Sequence, residues 1–160
     1  LFQIGDKIVY PMHGAGVIEA VEEKEILGEK RDYYVINMPV GNLQVMIPVG
    51  KVSDLGIRLV VDLMTLDDIL SNSVTEELDS SLPWNQRYRV YMNKIKTGDM
   101  HDGAEVIRDL TYRSKHKTLN AAEKGVLNQA RQMIISELVL VKEINEHQAA
   151  DLLDQMVTSE

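Results

Sequence analysis

Trp84 is the only tryptophan of the chain, and Arg87, Arg89, Lys94 and Lys96 follow it closely. An indole among cations is a pattern that can stack on or wedge between nucleic-acid bases while the cations meet phosphates. The charge distribution sharpens this. Residues 1–82 carry six Lys and Arg against fourteen Asp and Glu, residues 83–118 eight against four, and residues 119–160 three against seven. The whole chain has net charge −8, so nucleic acid and anionic lipid repel it on average, and any attraction is local to the middle block. A charge run is ordinarily a solvated helix face; a phosphate-contacting patch is the sharper reading, and composition does not choose. On an ideal helix, at about 100° per residue, Trp84, Tyr88, Tyr91 and Ile95 share one face. Arg87 and Lys94 flank it on one side, Arg89 and Lys96 on the other. Such spacing favours a core tryptophan. Its place just after Pro83, in a first helical turn, leaves open an indole that swings away from the core.

Other chemistry is poorly provided for. His13, His101, His116 and His147 lie far apart, without the two- to four-residue partner spacing of a helical metal site. Cysteine is absent, which removes disulfides, thiolate catalysis and Cys-ligated metals. Gly14-Ala15-Gly16 is a turn signal without the third glycine and following helix of a dinucleotide loop. There is no phosphate-binding GxxxxGK[ST] loop and no nucleophile elbow. The acidic pairs Glu22-Glu23 and Asp67-Asp68 have no acid–base partner nearby in sequence. The expectation is a non-enzyme with no metal and no cofactor. No apolar run approaches a membrane span, and the opening residues carry no basic-then-apolar leader, so no membrane role and a cytoplasmic location are expected.

Two periodicities position these residues. The first part reads as strands. Lys7–Tyr10 is a β-type run, His13–Gly16 a turn, Gly16–Val21 a strand, and Leu27–Lys30 a hairpin turn. Tyr33–Met38 is rich in aromatic and β-branched residues. Leu43, Val45 and Ile47 then alternate with Gln44, Met46 and Pro48. Four or five short strands predict a small, strongly bent sheet or barrel. The second part reads as helices. A short helix is expected over 62–70, an acidic linker over 75–81, and helices over 84–96 and 102–117. Asn120 with Glu123 predicts a capping box opening a helix over 121–141, with Leu127, Ala130, Ile134, Leu138 and Val141 on one stripe. Asn145 with Gln148 opens a last helix carrying Leu152, Leu153 and Met156. The fold class is α+β: a β unit over 1–60, a short helix and linker over 61–82, and an all-α unit over 83–160.

Longer stretches carry a resemblance. Phe2 to Gly16, reading Phe-Gln-Ile-Gly-Asp-Lys-Ile-Val-Tyr-Pro-Met-His-Gly-Ala-Gly, resembles the N-terminus of bacterial CarD/CdnL transcription regulators and of the related module in transcription-repair coupling factors. Pro83-Trp84-Asn85-Gln86-Arg87-Tyr88 is similar to the segment opening that family's helical domain. The stretches Lys96–Asp99, Ala104–Leu110 and Leu119–Lys124 resemble it in order and spacing. A chain with both halves looks like the stand-alone regulators rather than the repair factor. The resemblance implies a Tudor-like β domain that docks on the RNA polymerase β subunit, largely by strand pairing. It also implies a helical domain that contacts promoter DNA at the upstream edge of the bubble, its tryptophan in the minor groove, lengthening the life of the open complex. By this resemblance Trp84 is the wedge, exposed rather than buried, and Arg87 and Arg89 match basic positions beside it; Lys94, Lys96 and Arg113 of the basic block are expected as further DNA contacts. Lys24, Val45, Met46 and Ile47 are the polymerase contacts. Lys24 keeps the charge of a position that is often Arg in the family; Met46 does not, and Gln86 stands where some members carry a further cation. A monomer suffices for these roles. Two other readings compete: a polymerase-binding adaptor with Trp84 packed inside, and an RNA-binding β domain, which the acidity of the first half disfavours.

Overall fold

The computed structural model describes residues 1–71 and 82–158; the expected linker over 75–81 lies outside them. One antiparallel sheet comprises β1 (Lys7–Tyr10), β2 (Gly14–Ile26), β3 (Glu29–Met38), β4 (Leu43–Pro48) and β5 (Arg58–Leu59), in spatial order β4-β3-β2-β1-β5. β4 and β5 are therefore its edges. β5, two residues long, has no sequence pattern that announces it. β2 and β3 outrun their apolar patterns and meet at Leu27-Gly28, with φ of 53° and 80°, the paired positive values of a tight hairpin turn. From Val21 to Asp32 every residue is exposed, so this part is a two-stranded arm that buries no apolar core.

Cross-strand partners share a face of the sheet, and the pairing register divides the side chains into two sets. Ile8, Ile18, Tyr34, Ile36, Met38 and Ile47 line the inner face and form its core with Ile57. Phe2, Val49 and Val52 pack over it, and Phe2 exchanges two hydrogen bonds with the Tyr34 hydroxyl. Lys7, Val9, Ala15, Val17 and Arg58 share the outer face. There Val9 and Ala15 pack against Leu140 of a helix.

The helices are α1 (Leu63–Ser71), α2 (Trp84–Lys96), α3 (Met100–Ser114), α4 (Ala121–Lys142) and α5 (Glu146–Thr158). Leu66 and Ile69 of α1 belong to the same core as Tyr91, Ile95, Ile107, Leu110, Leu138 and Leu153, so α1 is part of the helical body. Asp62 accepts the Thr65 N–H at 2.7 Å, and this bond holds its carboxyl below the ordinary value. The capping box of α4 forms as expected: Asn120 accepts from the Glu123 N–H and Glu123 from the Asn120 N–H. Ile134 to Leu138 are all buried, including Ser136 and Glu137. A one-sided stripe cannot produce that run. It arises because α4 has helices on one side and the sheet on the other.

Polar groups fix the sheet to α4. The Ala15 N–H donates to Ser136 Oγ at 2.9 Å, and Lys7 Nζ to the Leu140 carbonyl at 2.9 Å. Arg58 grips Glu137 with both terminal nitrogens, at 2.9 and 2.8 Å, and also donates twice to the Gly98 carbonyl, at 3.0 and 2.6 Å. Glu137 additionally accepts the Val61 N–H at 2.8 Å. Gly98 closes α2 with φ +72°, and a Cβ there would stand 2.7 Å from Pro11 Cγ, so the α2–α3 turn approaches the sheet only because this residue has no side chain.

Glu137→Ala is expected to leave the Arg58 charge and the Val61 N–H without their shared acceptor. Breaking such a pair costs about 3 kcal/mol, which lowers Tm by roughly 6–12 °C in a chain of this size; thermal unfolding followed by circular dichroism measures it.

Candidate nucleic-acid interface

α2 starts from Pro83, whose carbonyl accepts from Gln86 and Arg87 N–H groups. The face expected to run Trp84-Tyr88-Tyr91-Ile95 divides in two. Tyr91 and Ile95 enter the core together with Arg87. Trp84 is partly buried against that core, and Tyr88 is exposed. Trp84, Tyr88 and Met92, spaced four residues apart, instead form a ridge, with the first two rings 5.5 Å apart. On one side of the ridge lies a groove floored by Ala122, Gly125, Val126 and Gln129 of α4. On the other lies a concavity bounded by Asn85, Arg89, Asn93 and Lys96. Trp84 is thus neither a core residue nor free in solvent.

The five cations assigned to DNA fall into two groups. Arg89 and Lys96 are exposed along the ridge, and neither is ion-paired to a described residue. Lys94 reaches Glu105 at 2.7 Å, one-third exposed. Arg113 Nε reaches Glu123 at 3.0 Å, and Arg87 is buried 4.0 Å from the same carboxylate oxygen. For Arg87 this corrects the expectation of an exposed phosphate contact. Its guanidinium lies 5.6 Å from the Trp84 ring centroid and donates to the Leu82 carbonyl at 3.1 Å. Burial follows from its place on the core side of α2, where three helices meet. The sequence shows the capping role of Glu123 but not that its other oxygen accepts from Arg113 and stands 4.0 Å from the Arg87 guanidinium. Nearby, the Tyr91 hydroxyl donates to Asp109. Burial, then this bond, push the Tyr91 phenol well above its ordinary value, so it stays a donor. Lys124, exposed on the first turn of α4 beside the groove, was not among the expected cations.

The residues assigned to polymerase also separate. Lys24 pairs with Arg31, and Met46 with Val35, which pairs with Ala20. The register puts Lys24, Arg31 and Met46 on the outer face, on the part of the sheet beyond α4. Val45 and Ile47 face inward; Ile47 is buried in the sheet core, so it can offer a partner backbone and not side chain. The outer edge of β4 pairs with no described strand. Among the described residues no cluster of three or more His, Asp or Glu side chains is placed to hold a metal ion, and no helix is long and apolar enough to cross a membrane.

Trp84 emission is expected between the buried and fully exposed extremes, with partial quenching by iodide. Emission typical of a fully buried indole would exclude the ridge.

Residues 2–61 match the family described as the CarD-like/TRCF RID domain, and residues 65–154 the one described as CarD, C-terminal domain. A Bacillus subtilis (strain 168) protein named "Putative transcription factor YdeB" is 53% identical over 148 residues, spanning 92% of this chain and 97% of its own. Among solved structures, the solution structure of the 72-residue N-terminal domain of Myxococcus xanthus CarD is 33% identical, covers 36% of this chain and 77% of its own, and superposes with a TM-score of 0.32.

Proposed function

The chain belongs to the CarD family of transcription factors, and from that premise we propose that it docks on the RNA polymerase β subunit and stabilises the promoter open complex through Trp84. The observation that carries this reading is the Trp84-Tyr88-Met92 ridge with Arg89 and Lys96 beside it. A half-seated indole flanked by cations suits the minor groove at an unstacked step, where an apolar wedge gains contact that closed duplex does not offer. In this reading the helical body, α1 included, is the DNA unit and residues 1–60 are the docking unit. The unpaired edge of β4 is a template for strand addition, and Lys24, Arg31 and Met46 lie on the outer face. A monomer acting in the cytoplasm, without cofactor or catalysis, is sufficient.

Intrinsic DNA affinity is weak in this scheme. With Arg89 and Lys96 as the exposed cations of the ridge, the slope of log K against log salt is expected near −2, at about −0.9 per phosphate. Docking on polymerase then supplies effective concentration. A differential contact of about 1–3 kcal/mol favouring the melted state lengthens bubble lifetime roughly 5- to 150-fold.

A second reading has its own support. Arg87, Arg113 and Lys94 are engaged by internal carboxylates, which leaves fewer cations for DNA and favours a polymerase adaptor that never touches it. Open-complex lifetime with the cognate polymerase, measured by a fluorescent bubble probe under competitor challenge, separates the two. Trp84→Ala is expected to remove the added lifetime while polymerase binding persists. An unchanged lifetime in the wild-type complex, with binding verified in the same sample, supports the adaptor.

A further inference from the structure

Resting on the proposed insertion of Trp84, we propose that Arg87 is a positioning residue for the indole and acts on DNA only through it. Four observations converge. The Arg87 side chain is 9% exposed, too little to meet a phosphate without leaving its site. Its guanidinium carbon stands 5.6 Å from the Trp84 ring centroid, within the range of an attractive cation–π contact. Its Nη1 donates to the carbonyl of Leu82 at 3.1 Å. Leu82 immediately precedes Pro83, so this bond fixes how the chain enters α2, and with it the direction of the first helical residue, Trp84. Finally, Arg87 Nη2 approaches the Glu123 carboxylate, which Arg113 and the α4 cap already hold in place.

The arrangement is a chain of support. The α4 capping box orients Glu123, Glu123 orients Arg87, and Arg87 holds both the indole and the segment leading into it. A planar fork with five donors can reach a carbonyl, a carboxylate and a ring together; an ammonium cannot reproduce that geometry. This distinguishes positioning from phosphate binding, for which Lys is an adequate substitute.

The test uses the full chain with cognate polymerase and a forked promoter fragment, and compares Arg87→Lys, Arg87→Met and Trp84→Ala. Positioning predicts that Arg87→Lys, with charge retained, shortens open-complex lifetime about three- to ten-fold and shifts Trp84 emission. It predicts no further loss when Arg87→Lys is added to Trp84→Ala, and no change of salt slope in Arg87→Met. A phosphate contact predicts the reverse: wild-type lifetime in Arg87→Lys, losses that add to those of Trp84→Ala, and a salt slope lowered by about 0.9 in Arg87→Met. That pattern overturns the proposal. Should Arg87→Met fail to fold, the Lys variant and the double variant still decide. If Trp84→Ala leaves lifetime unchanged, the insertion reading fails separately. The emission and iodide quenching of Trp84 in Arg87→Lys then decide the positioning role, and unchanged values overturn it.

Discussion

The grip of Arg58 on Glu137 is the constraint around which the rest is arranged. A carboxylate this deeply buried loses its hydration and is tolerable only if nearly every lone pair is used. Here two guanidinium nitrogens and the Val61 N–H use them. The same guanidinium takes the Gly98 carbonyl at the end of α2. One ion pair therefore ties β5, the start of the segment after it, the C-terminal part of α4 and the α2–α3 turn. Apolar packing of Val9 and Ala15 on Leu140 would hold the two bodies together without specifying an angle. Directional, charge-assisted bonds specify it.

That attachment uses half of one sheet face. Near β1 and β5 the outer face is spent on α4, while beyond it Lys24, Arg31 and Met46 remain outward on the same face. Division of a single face explains how a domain of about sixty residues can carry a second body and still present a surface of its own. The inner face cannot serve, since Tyr34, Ile36 and Ile47 are consumed by the sheet's own core.

Much of this was legible in the sequence, for local reasons. The bounds of α2, the capping box at Asn120 and Glu123, and the strand runs around Ile8, Tyr34 and Ile47 follow from caps, turns and periodicity, which act over a few residues. What escaped was non-local. Arg58 and Glu137 are 79 residues apart, and no pattern links them. β5 exists because β1 has an open edge, and the β2–β3 arm because backbone pairing continues past the last buried side chain. The expected stripe on α2 assumed that an arginine lies outside and a tyrosine inside. Tertiary context reversed this at Arg87 and Tyr88, since a carboxylate on α4 makes burial of the cation tolerable.

α4 also gives the molecule a mechanical character. Its first turn, at Glu123, underlies the ridge, and its Glu137 end is bolted to the sheet. Fourteen residues of helix separate these points, roughly 21 Å at about 1.5 Å per residue. A rigid shaft of that length converts angle into displacement: a tilt of about 10° at the bolted end moves the far end by roughly 4 Å, more than the rise of one base pair. The tolerance of such an instrument is angular, and it is set at the joint rather than at the tip.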